Sequence, residues 1–117
     1  MNTLTMQMTL FTMSEPSRFN IVELLKSGPK SVGQIVQALN IGQPQVSRHL
    51  RILSEAGLVG VRHHAQQRIY SLEAQPFREI DAWLDSFSKL WDERLDQFES
   101  YMLDYQKGEE QQEQKKP

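Results

Sequence analysis

The chain has 117 residues, of which 38% are hydrophobic and 24% are charged, and this size predicts a single small domain. The absence of cysteine excludes disulfides, thiolate metal sites and thiol redox switching, and it is typical of a reducing cytosol. Because the sequence has neither a signal-peptide pattern nor an apolar run of membrane-spanning length, we expect a cytoplasmic protein without a membrane partner.

The formal net charge of −2 conceals an uneven distribution of charge along the chain. Residues 26–78 contain seven basic and two acidic residues, which gives this segment a charge of +5. Residues 79–117 contain five basic and eleven acidic residues, which gives −6. Positive charge concentrated in one segment is typical of proteins that bind phosphates, so the middle of the chain is the candidate for a nucleic-acid interface.

The N-terminal part of the chain contains one clear helix start. Ser14 is a suitable N-cap and Pro16 fits the first turn, so we predict a helix from this point to Gly28. Residues 3–13 have only a weak pattern, and threonines interrupt their apolar residues. The sequence leaves open whether this segment is helical and whether it joins a dimer interface.

A short helix, a turn and a second helix follow. Ser31 and Gln34 have the spacing of a capping box, which predicts a short helix that ends near Asn40. Gly42 lies in the turn, and the second helix occupies residues 43–56. This succession is the helix-turn-helix arrangement.

The second helix has the form of a DNA-recognition helix. Val46, Leu50 and Leu53 form a narrow apolar stripe at helical spacing, while polar and basic side chains occupy the opposite face. Pro44 is expected at its first position, and Gly57 is expected to end it with a positive φ. An ordinary surface helix would share this pattern, but the preceding helix and the basic segment that follows favour DNA recognition.

After Gly57 the pattern changes to an alternation with a period of two. Residues 59–63 and 68–72 alternate on either side of residues 64–67, which predicts a two-stranded hairpin. A helix-turn-helix followed by a hairpin is a winged helix. The predicted fold class is therefore mainly α with a small β-hairpin, a winged helix-turn-helix with a long C-terminal dimerisation helix.

That long helix is predicted from Pro76 to about Gln106. Its apolar residues recur at steps of three and four over a greater length than one small domain can cover, so a second copy is the expected partner. Residues 107–117 are polar and are predicted to form a disordered tail after a domain of residues 1–106. The predicted dimer interface comprises Leu10, Phe11, Leu84, Phe87, Trp91, Leu95, Phe98 and Met102.

The recognition segment and the hairpin resemble the ArsR family of bacterial winged-helix repressors. The resemblance rests on Gln43-Pro44-x-Val46-Ser47-Arg48-His49-Leu50-x-x-Leu53-x-x-Ala56-Gly57-Leu58-Val59 and on Arg68-x-Tyr70-x-Leu72. It implies a homodimer that binds a palindromic double-stranded DNA operator and represses transcription, with terminal helices at the dimer interface. Gly42 departs from the family pattern, which usually has serine there, and glycine is the weaker N-cap.

The candidate DNA contacts fall into three groups by the chemistry that they offer. Side chains suited to base edges in the major groove are Gln45, Ser47, Arg48 and Arg51. Those placed near helix N-termini, and therefore suited to phosphate oxygens, are Ser31 and Gln43. Those expected on the wing, within reach of the backbone or the minor groove, are Arg62, His64, Gln66, Gln67 and Arg68. A partly buried, hydrogen-bonding role suits His49 at least as well as DNA contact does.

We predict no metal site, no cofactor and no catalytic activity. The metal-sensing members of the family use a cysteine pair or histidine and carboxylate groups on the last helix, whereas the last helix here offers aspartates without histidine. Carboxylates alone suit hard cations rather than zinc, and the adjacent His63 and His64 would point to opposite faces of a strand.

Two alternatives remain open: a metal-responsive repressor of the same fold, and a winged helix that serves as a protein-interaction module. The inducing signal is equally open, with an unknown organic ligand or a partner protein as candidates.

Overall fold

The computed structural model describes residues 3–114, and side chains as far as residue 109. These residues divide at Ile80 into two compact units. The first holds four helices, a small sheet and the start of a fifth helix, and the second holds the rest of that helix. The elements are α1 Thr3–Met13, α2 Pro16–Leu25, β1 Lys30–Ser31, α3 Val32–Leu39, α4 Gln43–Glu55, β2 Val59–His64, β3 Gln67–Leu72 and α5 Ala74–Gln114.

The segment before the first predicted helix is itself helical. Its buried threonines, Thr9 and Thr12, each donate a hydroxyl hydrogen bond to the carbonyl four residues earlier, so their polar groups are satisfied within α1. The N-cap of α2 was predicted to be Ser14, and this is wrong. The Ser14 hydroxyl donates to the Phe11 carbonyl at the end of α1, and the N-cap is Glu15, whose carboxylate accepts the Arg18 N–H at 2.8 Å.

The helix-turn-helix is confirmed, and its local signals are in place except for the exact position of Pro44. Ser31 Oγ accepts the Gln34 N–H at 3.2 Å, and Gln34 Oε1 accepts the Ser31 N–H at 2.8 Å, which completes the capping box of α3. Pro44 is the second rather than the first residue of α4, a position that also needs no intrahelical N–H partner. Gly57 follows α4 with φ +77, the left-handed conformation that favours glycine.

The predicted hairpin is present, with a tighter turn than expected. Because His64 pairs with Gln67, only Ala65 and Gln66 connect β2 to β3, and Ala65 adopts φ +56. A third strand, β1, pairs with β3 and gives the sheet order β1-β3-β2. The sequence did not predict β1, because a strand of two residues shows no alternation.

One hydrophobic core joins α2, α3, α4 and the sheet. The apolar stripe of α4 is fully buried in it, so the polar face of that helix is turned to the outside. The core also explains the short α3, whose Ile35 is completely enclosed. The buried hydrophobic residues are Ile21, Val22, Leu25, Ile35, Val46, Leu50, Leu53, Leu58, Val59 and Tyr70.

The last helix is longer than predicted at both ends. It begins at Ala74, because Pro76 then lies in the first turn, where the missing N–H is not needed. It continues to Gln114, so residues 107–114 are helical and not part of the disordered tail that their polarity suggested. Glutamate, glutamine and lysine are good helix formers, which explains why polarity alone does not end the helix. Residues 115–117 of the predicted tail lie outside the described residues.

Most large apolar side chains of α5 beyond Ile80 are exposed on the single chain. Within this unit Phe87 is half-buried, and its ring meets that of Trp83 edge to face at 5.0 Å. In the part of the chain that is described, no helix combines the length and the apolar character that a bilayer crossing requires.

Candidate nucleic-acid interface

A groove with a volume of about 1000 Å³ lies between the outer face of α4, the start of α3 and the hairpin. We call it the recognition groove. Its position follows from the fold, because burying the stripe of α4 leaves the opposite face of that helix beside the inner edge of the wing, the β2–β3 hairpin. The residues that line it are Ser31, Val32, Gly33, Gln43, Pro44, Ser47, Arg48, Arg51, Ser54, Glu55, Val61, Gln66, Gln67, Arg68 and Tyr70.

The chemistry of the recognition groove suits an anionic, hydrogen-bonding ligand. Three arginines, Arg48, Arg51 and Arg68, line it against one acidic side chain, Glu55. Arg51 Nε lies 4.0 Å from Glu55 Oε1, and both side chains are more than two-thirds exposed. Such a surface pair contributes only about 0–1 kcal/mol, so a phosphate or a base can replace it at little cost. Guanidinium, hydroxyl and amide groups together offer the contacts that phosphates and base edges accept.

Most of the predicted DNA contacts come together in this groove. The eight that line it are Ser31, Gln43, Ser47, Arg48, Arg51, Gln66, Gln67 and Arg68. The three that do not are Gln45, Arg62 and His64. Arg62 follows Val61, which faces the groove, and successive strand residues point to opposite faces. His64 is the last residue of β2, next to the hairpin turn.

Gln45 has a structural role that was not predicted from the sequence. Its Oε1 accepts the Gly42 N–H at 3.0 Å and so caps the start of α4. Glycine at position 42 permits this contact, because a Cβ there would lie 2.6 Å from Gln45 Oε1. This cap occupies one acceptor site of the amide that bidentate pairing with adenine would also use. The Gln at the third position after a candidate cap is the signal that could have revealed the capping role.

Several lining residues were not among the predicted contacts. Ser54 could have been found from its helical spacing to Arg51, since both lie on the outer face of α4. Val61 and Tyr70 lie opposite each other in the β2–β3 pairing and together form the inner edge of the wing. Val32 and Gly33 reach the groove through the packing of α3 on α4, for which the local sequence holds no signal.

The histidines occupy two different environments. His49 is buried beneath the outer face of α4, and its Nδ1 lies 3.7 Å from Glu15 Oε2. His63 and His64 are exposed on β2. Among the residues described, no three histidine, aspartate or glutamate side chains are grouped so that they could hold a metal ion.

With this geometry established, comparisons with known proteins identify the family. The model of the family "Bacterial regulatory protein, arsR family" matches residues 15–61, which include α4 and the turn before it. The transcriptional repressor SdpR of Bacillus subtilis is 33% identical over 82 residues, which cover 70% of this chain and 91% of that protein. The chain belongs to the ArsR family. It is therefore a DNA-binding transcriptional regulator, and the predicted winged-helix fold is confirmed.

A further relative and a solved structure agree with the assignment of this chain to the ArsR family. A biofilm growth-associated repressor of Xylella fastidiosa strain Temecula1 is 39% identical over 74 residues, which cover 62% of this chain and 65% of that one. The crystal structure of an ArsR family transcriptional regulator, RHA00566, superposes with a TM-score of 0.68 over 79% of this chain and 95% of that one. At 21% identity this last likeness concerns the fold alone.

Proposed function

We propose that this ArsR-family regulator represses transcription as a homodimer bound to a palindromic operator. In this proposal α4 enters the major groove, and the wing lies along the adjacent backbone or minor groove. The observation that carries it is the recognition groove, where three arginines converge on the face of α4 opposite the buried stripe. The relatives named as repressors support the direction of regulation.

The proposed contacts fall into two groups: those that read base edges and those that position the protein on the DNA backbone. Arg48, Arg51 and Ser47 project from the outer face of α4 and are proposed to read base edges, with arginine suited to guanine. Ser31, at the start of α3, is proposed to bind a phosphate that fixes the register of the protein on the duplex. The wing residues and Gln43 add further backbone contacts, while Arg62 and His64, outside the groove, would reach flanking DNA.

The homodimer is proposed from the apolar surface that the single chain leaves in contact with solvent. On α1, Leu10 and Phe11 are exposed, as are five of the six candidate interface residues on α5. Burying such residues against a second copy removes apolar area from water, which stabilises association by about 25 cal/mol per Å². A two-fold dimer would also present two recognition grooves to the two halves of a palindrome.

Selection of bound sequences from random duplex DNA tests the proposal, together with sedimentation of the protein alone. We expect a palindrome whose half-sites are about 34–36 Å apart, one turn of DNA, and a dimer at micromolar concentration. When a groove arginine is replaced by alanine, Lys26→Ala is the matched control. Lys26 lies in the same basic segment but pairs with Glu23 outside the groove. Recovery of sequences without a common motif, or of a single half-site bound by a monomer, would contradict the proposal.

The proposal also covers where the regulator acts and what releases it from DNA. We place it in the cytoplasm and propose that an organic ligand or a partner protein provides the release signal. Measuring operator affinity in cell extract fractions, compared with the purified protein, would reveal such a signal as a reproducible loss of affinity. Equal affinity across all fractions would leave repression governed by the concentration of the regulator itself.

A further inference from the structure

His49 is a buried side chain on the recognition helix with an unsatisfied nitrogen. Its side chain is 9% exposed, and among the described residues its Nδ1 has no hydrogen-bond partner. Buried polar atoms in folded proteins nearly always have such a partner, so this nitrogen needs a physical explanation. His49 lies directly between Arg48, proposed to read bases, and Leu50, which is fully buried in the core.

A carboxylate that caps another helix lies close to this nitrogen. Glu15 Oε2 lies 3.7 Å from His49 Nδ1, too far for a hydrogen bond but close enough for an ion pair when the imidazole is protonated. The same oxygen accepts the Arg18 N–H at 2.8 Å. That backbone hydrogen bond is the main reason why the pKa of Glu15 is lowered, and the charges of His49 and Arg18 lower it further while partial burial opposes them. Glu15 is therefore a carboxylate throughout the range in which histidines titrate.

The charged groups around His49 are of both signs. His49 lines a small cavity between α2 and α4, and the charged side chains there are Glu15, Arg18 and Arg48. The imidazole thus faces a local balance of one carboxylate against two guanidinium groups. The other elements packed on α4 do not change this balance, because α3 contains no charged residue and the charged residues of β2 do not line the cavity.

DNA binding would shift this balance toward the protonated form. Phosphates and base acceptors beside Arg48 would offset its positive charge, so the carboxylate of Glu15 would then dominate the environment of His49. A protonated imidazole has a donor on both nitrogens, and the Nδ1–H could then pair with Glu15. This pair would tie the recognition helix to the start of α2.

We propose that His49 is a positioning residue of α4, and that its protonation against Glu15 couples operator binding to proton uptake. The inference rests on the proposed function. Because DNA raises the affinity of His49 for a proton, the proton must raise the affinity of the protein for DNA by the same factor. Operator affinity is therefore expected to increase as the pH falls through the histidine range.

The chain allows a direct test because it contains only three histidines. In the background His63→Gln/His64→Gln, His49 is the single imidazole, and NMR can follow its titration in the free protein and in the operator complex. We expect a higher titration midpoint in the complex, and operator binding at least about fivefold tighter near pH 6 than near pH 8. The two wing substitutions are needed because exposed histidines near DNA would produce a similar pH dependence.

Substitutions of Glu15 distinguish electrostatic coupling from a purely structural role. Glu15→Gln removes the charge and should abolish most of the pH dependence, whereas Glu15→Asp keeps the charge and should retain it. Equal His49 midpoints with and without operator, or a pH profile that Glu15→Gln leaves unchanged, would overturn the inference. The NMR titration decides alone if Glu15→Gln does not fold. Absence of operator binding at every pH would contradict the proposed function itself, whereas binding with equal midpoints contradicts only this inference.

Discussion

A charge placed in the apolar stripe of α5 should dissociate the proposed dimer. Leu95 and Phe98 are 63% and 62% exposed on the single chain, so each retains well over half of its apolar surface for burial by a partner. Complete burial of such a side chain contributes about 1.5–3 kcal/mol. The remaining surface is therefore worth about 1–2 kcal/mol per side chain, or about 2–4 kcal/mol when both copies are counted.

Leu95→Glu or Phe98→Glu removes that contribution and adds a carboxylate whose desolvation is unfavourable. We expect each variant to weaken dimerisation by about 30- to 1,000-fold, since about 1.4 kcal/mol corresponds to a factor of ten. Sedimentation velocity over a range of concentrations measures the change, and operator affinity measured in parallel should fall with it. Gln97→Glu is the matched control, because it adds the same charge on the same helix at an exposed position outside the stripe.

The outcome for the two stripe variants decides where the interface lies. If both sediment as the wild-type dimer does, α5 is not the dimer interface, and α1, where Leu10 and Phe11 are exposed, becomes the next candidate. If Gln97→Glu dissociates the dimer as strongly as Phe98→Glu does, the effect comes from added negative charge on an already acidic helix and not from the loss of apolar contact.

Four further predictions concern the DNA interface, the signal and the N-cap of α2. Operator affinity should fall steeply with salt, with log K decreasing by about 0.9 per phosphate contact for each unit of log salt; a flat response in a binding titration would exclude the arginine-lined groove as the phosphate site. Arg48→Ala should cost about 1–3 kcal/mol and relax selection at one base position, whereas Arg68→Ala should weaken operator and random DNA alike; an unchanged selected motif for Arg48→Ala would refute base reading. Micromolar Zn²⁺ should leave operator affinity within a few-fold, below the roughly 5- to 150-fold of typical allosteric coupling; a larger effect that disappears with His63→Gln would favour the metal-responsive alternative. The pKa of Glu15 is lowered mainly by the hydrogen bond from the Arg18 N–H. The ionised Glu15 cap should therefore stabilise the fold above the ordinary carboxyl pKa, and this stabilisation should be lost as the pH falls through the lowered pKa. Urea unfolding should show Glu15→Gln about 1 kcal/mol less stable than the wild type at neutral pH and no less stable in acid.

The local features of this fold could be predicted because they depend on residues close together in the chain. The stripe of α4 repeats with the period of a helix, and that period alone decides that Val46 and Leu50 share the buried face. The capping box of α3 likewise needs only a serine and a glutamine three residues apart. Once the stripe is assigned to the core, the outer face of α4 follows, and this is why Arg48 and Arg51 could be named as candidate contacts that line the groove.

The misassigned ends of elements have a common cause. Ser14 and Glu15 are both plausible caps, and the choice between them depends on α1, which was itself undecided from the sequence. When α1 forms, the Ser14 hydroxyl is used at its end, and Glu15 becomes the cap of α2. The end of α5 was misplaced for a similar reason: polarity was taken as a sign of disorder, although the same residue types propagate a helix well.

Contacts between distant segments were decided only by the tertiary structure. The pairing of Lys30 with Tyr70 and the approach of Glu15 to His49 each join residues far apart in the chain. Periodicity specifies which face of an element is buried, but it does not specify which other element covers that face. That choice depends on how all the buried faces fit together at once, so the recognition helix could be read from the sequence while the groove around it, and the carboxylate behind it, could not.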